Sequence, residues 1–237
     1  MTQPRKGGTR LLCFSPPIML ATFTVEIVMA IYVVWRYKLT KLSRLVVATL
    51  FFLALFQISE YFVCGGAGLS AMHWSRTGYV AITMLPPLGL HILHVLTGKK
   101  ERALVWVAYA TAAAFIVYFL LYKQAFSGYE CTGNYVIFQL GGLATALYAA
   151  YYYGWLGTAI VLGLRWRKQQ KNNVRRQAIR GLIIGYLVFL VPTSIAVIID
   201  PTAMRGIPSI MCGFAVIFAV LLTFYVLPLG RRAAKQR

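Results

Sequence analysis

Long apolar runs alternate along this chain with short blocks of charged residues. A run of about 20 apolar residues crosses a hydrocarbon core of about 30 Å as an α-helix, which rises 1.5 Å per residue. The pattern predicts an all-α membrane protein, a bundle of seven transmembrane helices near residues 17–36, 45–64, 78–97, 103–122, 141–164, 181–199 and 208–229.

The basic residues indicate how this bundle is oriented. If the loop around Lys38 and Lys41 is cytoplasmic, 18 of the 24 Lys and Arg residues lie on the cytoplasmic side. Cytoplasmic loops carry such an excess of Lys and Arg. We therefore predict a basic extracytoplasmic tail over residues 1–16, a transmembrane domain over 17–229 and a basic cytoplasmic tail over 230–237, in a bacterial cytoplasmic membrane.

The composition indicates that lipid is the main solvent of the folded chain. Hydrophobic residues make up 59% of the sequence and charged residues 12%, against roughly 25% charged residues in an average soluble domain. A net charge of +19 in a soluble protein would suggest a nucleic-acid partner, which we do not expect here. The basic segment 165–180 is expected to bind anionic lipid at the cytoplasmic face, or else an acidic partner in a membrane complex.

All four cysteines lie at or near the outer ends of the predicted helices, at positions Cys13, Cys64, Cys131 and Cys212. Disulfides persist on the outer side of a bacterial membrane. We predict one disulfide among Cys13, Cys64 and Cys131, with Cys64 to Cys131 favoured, although a sequence does not fix the connectivity. The alternative is that these cysteines are small buried side chains. Cys212 is expected to be a free thiol.

Four ionisable side chains fall inside the predicted helices: Glu26, Glu60, His91 and His94. A charged group at a helix centre costs about 2.5 to 3.5 kcal/mol on insertion scales, so each is a candidate functional residue. Gln57 precedes Glu60 by one turn and shares its helix face. We predict that Glu26, Gln57, Glu60 and His91 contribute to a polar ligand cavity or proton path between the first three helices.

A metal site is an alternative use of the same residues. His91 and His94 share a helix face, and Glu26 lies nearest to them in depth. Three protein ligands must converge on one ion in a catalytic zinc site. The structural alternative is that both imidazoles bond to neighbouring backbone or to a facing helix, while Glu26 is a protonated or paired structural group.

Helix 5 carries an aromatic stripe. Tyr148, Tyr152 and Trp155 recur at helical spacing on one face. Such a wall can bind an apolar or cationic ligand, and interhelical packing is the common alternative. We include these three residues among the candidate ligand-binding residues.

Three short motifs resemble an uncharacterised family of bacterial membrane proteins. They are Cys13-Phe14-Ser15-Pro16, Phe56-Gln57-Ile58-Ser59-Glu60-Tyr61 and Leu85-Pro86-Pro87-Leu88. Chains of that family begin Met-Cys-Phe-Ser-Ala and have a Gln/Glu pair in helix 2 and a proline in helix 3. This chain departs from them by Pro16 and by a basic extension ahead of Cys13. The family has no assigned reaction, so the resemblance emphasises Cys13, Gln57 and Glu60 without naming a role.

The sequence favours a non-enzymatic membrane protein that senses or carries a small or lipid-like ligand in a cavity open to the outer face. No cofactor is expected. One alternative is a membrane-embedded metal-dependent lipid hydrolase that acts through His91, His94 and Glu26. Another is a structural subunit of a membrane complex.

Overall fold

The computed structural model describes residues 16–65, 68–99, 103–122, 124–131, 136–199 and 206–236. The first helices are α1 (Pro16–Arg36), α2 (Lys41–Gly65), α3 (Ala71–Thr83), α4 (Leu85–Thr97) and α5 (Ala103–Leu121). Strands β1 (Phe126–Cys131) and β2 (Val136–Leu140) follow. The chain ends with α6 (Gly142–Gln169), α7 (Asn173–Ile199), α8 (Ile207–Leu221), a π-helical turn (Leu222–Val226) and α9 (Leu227–Lys235).

Within the described residues, six helices are long and apolar enough to cross a membrane. They are Pro17–Arg36, Lys41–Gly65, Ala71–Thr97, Ala103–Leu121, Asn173–Ile199 and Ile207–Lys235. The outward faces of these helices are apolar, and Trp35 and Ile198 are 85% and 78% exposed. A contiguous apolar exterior is stable only in lipid. The chain is therefore a multi-pass membrane protein, as predicted.

The remaining long helix, α6, has 28 residues but is less apolar than those six. Its first half is rich in tyrosine and glycine, which lower its mean hydropathy. It nevertheless packs against α4 and α7 as part of the bundle. The aromatic stripe predicted in helix 5 of the sequence lies on this helix.

The helices extend beyond the apolar runs that predicted them. Helix α3 begins at Ala71, where the Ser70 side chain accepts the backbone N–H of His73. Helix α7 begins at Asn173, and the Asn172 side chain accepts the backbone N–H of Arg175 at 3.1 Å. Most of the basic segment 165–180 and of the tail 230–237 is thus helical. The length of an apolar run reflects the thickness of the hydrocarbon core, whereas capping residues determine where a helix begins.

A two-stranded antiparallel hairpin corrects the all-α prediction. Strand β1 pairs with β2 between α5 and α6, with Glu130 opposite Ile137. The Ser127 hydroxyl donates to the Gln139 carbonyl oxygen at 3.1 Å. The hairpin follows the C-terminal end of α5, and its backbone groups pair with each other instead of facing lipid unpaired.

Helix α2 is central in the bundle, because it contacts α1, α3, α4, α8 and α9. We call the end of the molecule that holds the hairpin and the C-terminus of α2 the disulfide end. The opposite end, which holds the α1–α2 and α6–α7 connections and α9, is called the basic end. The polar candidates among the residues of α2 lie toward the disulfide end.

Candidate functional site

A covalent bond fixes the hairpin at the disulfide end. Cys64 near the end of α2 is joined to Cys131 at the end of β1, with the two Cα atoms 5.9 Å apart. The predicted Cys64–Cys131 disulfide is confirmed. Cys13 lies outside the described residues, and Cys212 is a free, buried thiol, as expected. The hairpin therefore contacts α2 and α3 as part of the fold.

Aromatic side chains also hold the hairpin against the bundle. The Phe138 ring of β2 lies 5.3 Å from the Tyr79 ring and 6.1 Å from the Phe56 ring, centroid to centroid. The Phe126 ring of β1 lies 5.0 Å from Tyr79. Both strand phenylalanines are buried. The hairpin is thus fixed from both strands.

A cavity of about 870 Å³ lies between the hairpin, α3, α6 and α8. This volume is within the range of about 300 to 1,000 Å³ that is typical of small-molecule sites. Gly142, Ala146 and Tyr153 of α6 line the cavity and are exposed at the surface. Ser127 and Gln139 of the hairpin contribute polar groups, and both are exposed. The cavity therefore opens at the disulfide end, along the outer half of α6.

We call Tyr79, Phe138, Tyr148 and Tyr152 the aromatic wall of the cavity. The Tyr148 ring lies 5.4 Å from Tyr79 and 6.0 Å from Tyr152, centroid to centroid. The Tyr148 hydroxyl is 3.1 Å from Thr83 Oγ1, which itself donates to the Tyr79 carbonyl oxygen at 2.6 Å. These bonds fix the rings at the kinked junction of α3 and α4. The structure thus places the predicted Tyr148 and Tyr152 together in one cavity wall.

Trp155 is turned away from the cavity. Its Nε1–H donates to Thr111 Oγ1 of α5 at 3.0 Å, and it is not among the residues that line the cavity. This side chain joins α6 to α5. Of the three residues of the predicted stripe, two face the cavity and one serves interhelical packing.

Glu60 is buried behind the aromatic wall. Only 1% of its surface is exposed, and its carboxylate accepts a hydrogen bond from the Ser209 hydroxyl of α8. The Tyr79 hydroxyl lies within electrostatic range of this carboxylate. The buried acid is therefore next to the cavity wall without lining the cavity itself.

Glu26 is fully buried, and neither of its carboxylate oxygens has a hydrogen-bond partner in the described part of the chain. Glu26 belongs to α1, which packs against both α2 and α8. Cys212 of α8 lines the cavity. Both acids are thus buried in the part of the bundle that α1, α2 and α8 form.

Gln57 belongs to the same face of α2 as Glu60. It is 2% exposed, and its Nε2 has no hydrogen-bond partner among the residues described. An unpaired amide donor in this position costs about 1 to 3 kcal/mol. We call Glu26, Gln57, Glu60, Ser209 and Cys212 the buried polar cluster.

The two histidines contact α5 and the backbone of α4. His91 Nδ1 is 3.2 Å from the Tyr109 hydroxyl of α5, and His94 Nδ1 is 2.9 Å from its own helix at Leu90 O. The His94 ring packs edge-on against Trp166 of α6, with centroids 4.9 Å apart. His91 does not line the cavity. These contacts match the structural alternative that the sequence left open.

The metal site predicted from His91, His94 and Glu26 is not formed. No group of three His, Cys, Asp or Glu side chains in the described ranges is placed to hold an ion. The physical reason is that the imidazoles bond to α5 and to the α4 backbone, while Glu26 belongs to α1, which packs against α2 and α8.

Sequence reasoning missed the contributions of α3 and α8. Tyr79 lies near the middle of the span Ala71–Thr97, and only its contact with the hairpin marks it as a wall residue. Ser209 looks like an ordinary small residue after Pro208, and its partner Glu60 is 149 residues away. The hairpin itself had a detectable sequence signal, since Thr-Gly-Asn, a sequence typical of turns, lies between two short segments with β-branched and aromatic residues.

Comparison with known proteins adds no assignment. No family model matches this chain, and no curated protein matches it.

Proposed function

We propose that the chain is a seven-helix protein of a bacterial cytoplasmic membrane that binds a small, lipid-like ligand in the cavity at its outer face. The observation that carries this proposal is the cavity of about 870 Å³ with its aromatic wall. In the proposed topology α6 is the additional span, the N-terminus is outside and the C-terminus is cytoplasmic.

Two features at opposite ends of the molecule support this orientation. The Cys64–Cys131 disulfide belongs to an oxidising compartment. The connections and helix ends at the basic end carry Lys and Arg, which are retained in the cytoplasm. The same orientation satisfies both requirements. The cavity then opens toward the outside of the cell.

The lining and the opening of the cavity support a lipid-like ligand. Most of the wall is apolar or aromatic, with Ile82, Leu140 and Met211 beside the aromatic wall. The opening lies along α6, where Ala146 and Tyr153 are exposed at the depth of the outer leaflet. A hydrocarbon chain can therefore enter from the bilayer while a polar group stays near Ser127 and Gln139 at the rim.

Ala146→Trp tests the proposal, because an indole at this position fills the opening of the cavity. Ala150→Trp is the matched control, since Ala150 is an exposed alanine of the same helix that does not line the cavity. Both proteins are purified in a mild detergent, and the molecules that copurify are measured by native mass spectrometry and solvent extraction.

The unmodified protein and Ala150→Trp are expected to retain a stoichiometric amphipathic molecule, and Ala146→Trp to lose it. Intact Cys64–Cys131 disulfide in all three proteins serves as the folding control. Equal retention by Ala146→Trp and Ala150→Trp, or no stoichiometric molecule in the unmodified protein, would refute the proposal.

A further inference from the structure

We infer that the ligand of this cavity carries a positively charged ammonium group. This inference rests on the proposed function and names the chemical class of its ligand. Its basis is the coincidence of an aromatic wall with two buried carboxyl groups, one of which bonds to the helix segment that lines the cavity.

The buried polar cluster contains two carboxyl groups without a cationic partner. Glu26 makes no hydrogen bond or ion pair in the described part of the chain, and Glu60 is bonded to the neutral Ser209. Burial favours the neutral form of a carboxyl group, and a nearby cation favours the ionised form. A cation that binds beside these groups therefore gains an ionised partner, and the interaction is strong where water is excluded.

The cavity brings a ligand close to those charges. Pro208 and Cys212 of α8 line the cavity, and Ser209, which lies between them in the sequence, bonds to Glu60. The Glu60 carboxyl group is therefore held by the same helix segment that lines the cavity.

The aromatic wall favours the same sign of charge. The faces of tyrosine and phenylalanine rings attract ammonium groups, most strongly where water is excluded. Tyr148 and Tyr152 are each less than 9% exposed, and their rings lie 6.0 Å apart. Among the lining residues that the structure describes, none carries a basic side chain to oppose a cation.

The helix N-termini at the rim of the cavity favour anions rather than cations. Helices α6 and α8 begin at Gly142 and Ile207, which line the cavity, and a helix N-terminus attracts anions. That effect amounts to about half a charge and declines within the first turn. The two carboxyl groups lie deeper in the protein and can each supply a full charge when a cation compensates them. The deeper part of the cavity therefore favours cations, even though the rim does not.

The test compares three spin-labelled amphiphiles that share one hydrocarbon chain and differ only in the head group: trimethylammonium, hydroxyl or sulfate. Each is titrated into the full chain in phosphatidylcholine nanodiscs, and the immobilised fraction is measured by electron paramagnetic resonance. We expect the ammonium probe to bind about tenfold more tightly than the alcohol, which corresponds to a desolvated cation–aromatic contact assisted by a carboxylate.

Charge variants identify the source of the preference. Glu60→Gln keeps an acceptor for Ser209 and Glu26→Gln keeps the side-chain shape, so both are expected to lose most of the tenfold preference and retain the alcohol affinity. Glu130→Gln is the matched control, since Glu130 is an exposed carboxylate on β1 at the same end, and it is expected to change neither. If one of these variants does not fold, the other variant and the head-group comparison on the unmodified protein still test the cationic assignment.

Equal affinity for the alcohol and the ammonium probe, or tightest binding of the sulfate, would overturn the cationic assignment and leave the proposed lipid-like ligand intact. The cationic assignment would also be overturned if Glu60→Gln and Glu26→Gln left the binding of the ammonium probe unchanged. Failure of all three probes to bind, or binding that Ala146→Trp does not affect, would refute the proposed function as well.

Discussion

The closely packed glycines of α7 and α9 differ from Gly154 and Gly157 of α6 in what surrounds them. A Cβ atom at Gly185 would lie 2.5 Å from Phe218 Cδ2, and one at Gly230 would lie 2.5 Å from Leu42 Cδ2. At Gly154 and Gly157 of α6, a Cβ would meet no atom within 4 Å in the described structure. Small residues allow close helix approach in the first group. The second group leaves α6 loosely surrounded, on the helix that borders the cavity.

The two ends of the molecule also differ in their charged residues. In the described ranges, the basic end carries many Lys and Arg residues and no Asp or Glu. The Arg231 guanidinium lies 4.9 Å from the centroid of the Tyr37 ring, and Lys99 Nζ lies 5.7 Å from that of Trp166. The disulfide end instead buries two carboxylates near a cavity. The first difference underlies the proposed orientation, and the second underlies the proposed ligand site.

The largest expected effect of the charge difference between the two ends is on the orientation of the protein in the membrane. A cytoplasmic reporter fused after Arg237 is expected to be active and a periplasmic reporter at the same position inactive, because 18 of the 24 basic residues lie on that side of the membrane. Reporter activities in intact cells measure this. The reverse pattern would exchange the two ends and place the Cys64–Cys131 disulfide in a reducing compartment.

Removal of the Cys64–Cys131 disulfide should have the next largest effect, which is a loss of stability against unfolding. Cys64 and Cys131 are separated by 67 positions, and closing a loop of that size stabilises a fold by about 2 to 4 kcal/mol. Cys64→Ser, Cys131→Ser and the double variant are each expected to lose this amount, since each removes the same bond. Thermal unfolding in detergent measures the loss.

A reductant provides the control for the disulfide variants. It should lower the unfolding midpoint of the unmodified protein and leave that of the double variant unchanged. A reductant that shifts neither midpoint would show that the hairpin is held by Phe126 and Phe138 alone, and that the disulfide end is as firmly packed as the rest of the bundle.

Much of the fold could be predicted from the sequence, because the physical cause of each element is local. Six of the seven apolar runs correspond to described helices that are long and apolar enough to cross a membrane, since lipid imposes a length on every crossing helix. The starts of α3 and α7 were wrong by several residues, because Ser70 and Asn172 cap the helices outside the apolar runs. The hairpin was missed because its short strands depend on pairing with each other and on the Cys64–Cys131 bond.

The candidate site was predictable only in part. The cost of burying an ionisable group identified Glu26 and Glu60 from sequence, and the structure buries both. The same argument also selected His91 and His94, which instead satisfy structural bonds. Helical depth alone does not give the direction of a side chain around its helix axis. That direction decides which neighbouring helix each side chain meets.

Gly185→Ala should destabilise the packed side of the bundle. The added methyl group collides with the Phe218 ring, which is itself fixed between Tyr186 and Phe189 at centroid distances of 5.4 and 5.8 Å. Overpacking costs about 1 to 3 kcal/mol, and the better helix propensity of alanine offsets up to about 1 kcal/mol of this. We expect a net loss of about 1 to 2 kcal/mol in unfolding experiments.

Gly154→Ala should have the smallest effect and the opposite sign. The same methyl group enters open space at this position, so the lower conformational freedom of alanine in the unfolded chain is the main change. We expect stabilisation by about 0.5 to 1 kcal/mol, measured under the same unfolding conditions as Gly185→Ala. A loss of stability at Gly154 comparable to that at Gly185 would mean that α6 is covered by another surface in the membrane. In that case the loose surroundings of α6 would be an interface, and entry to the cavity along this helix would be closed.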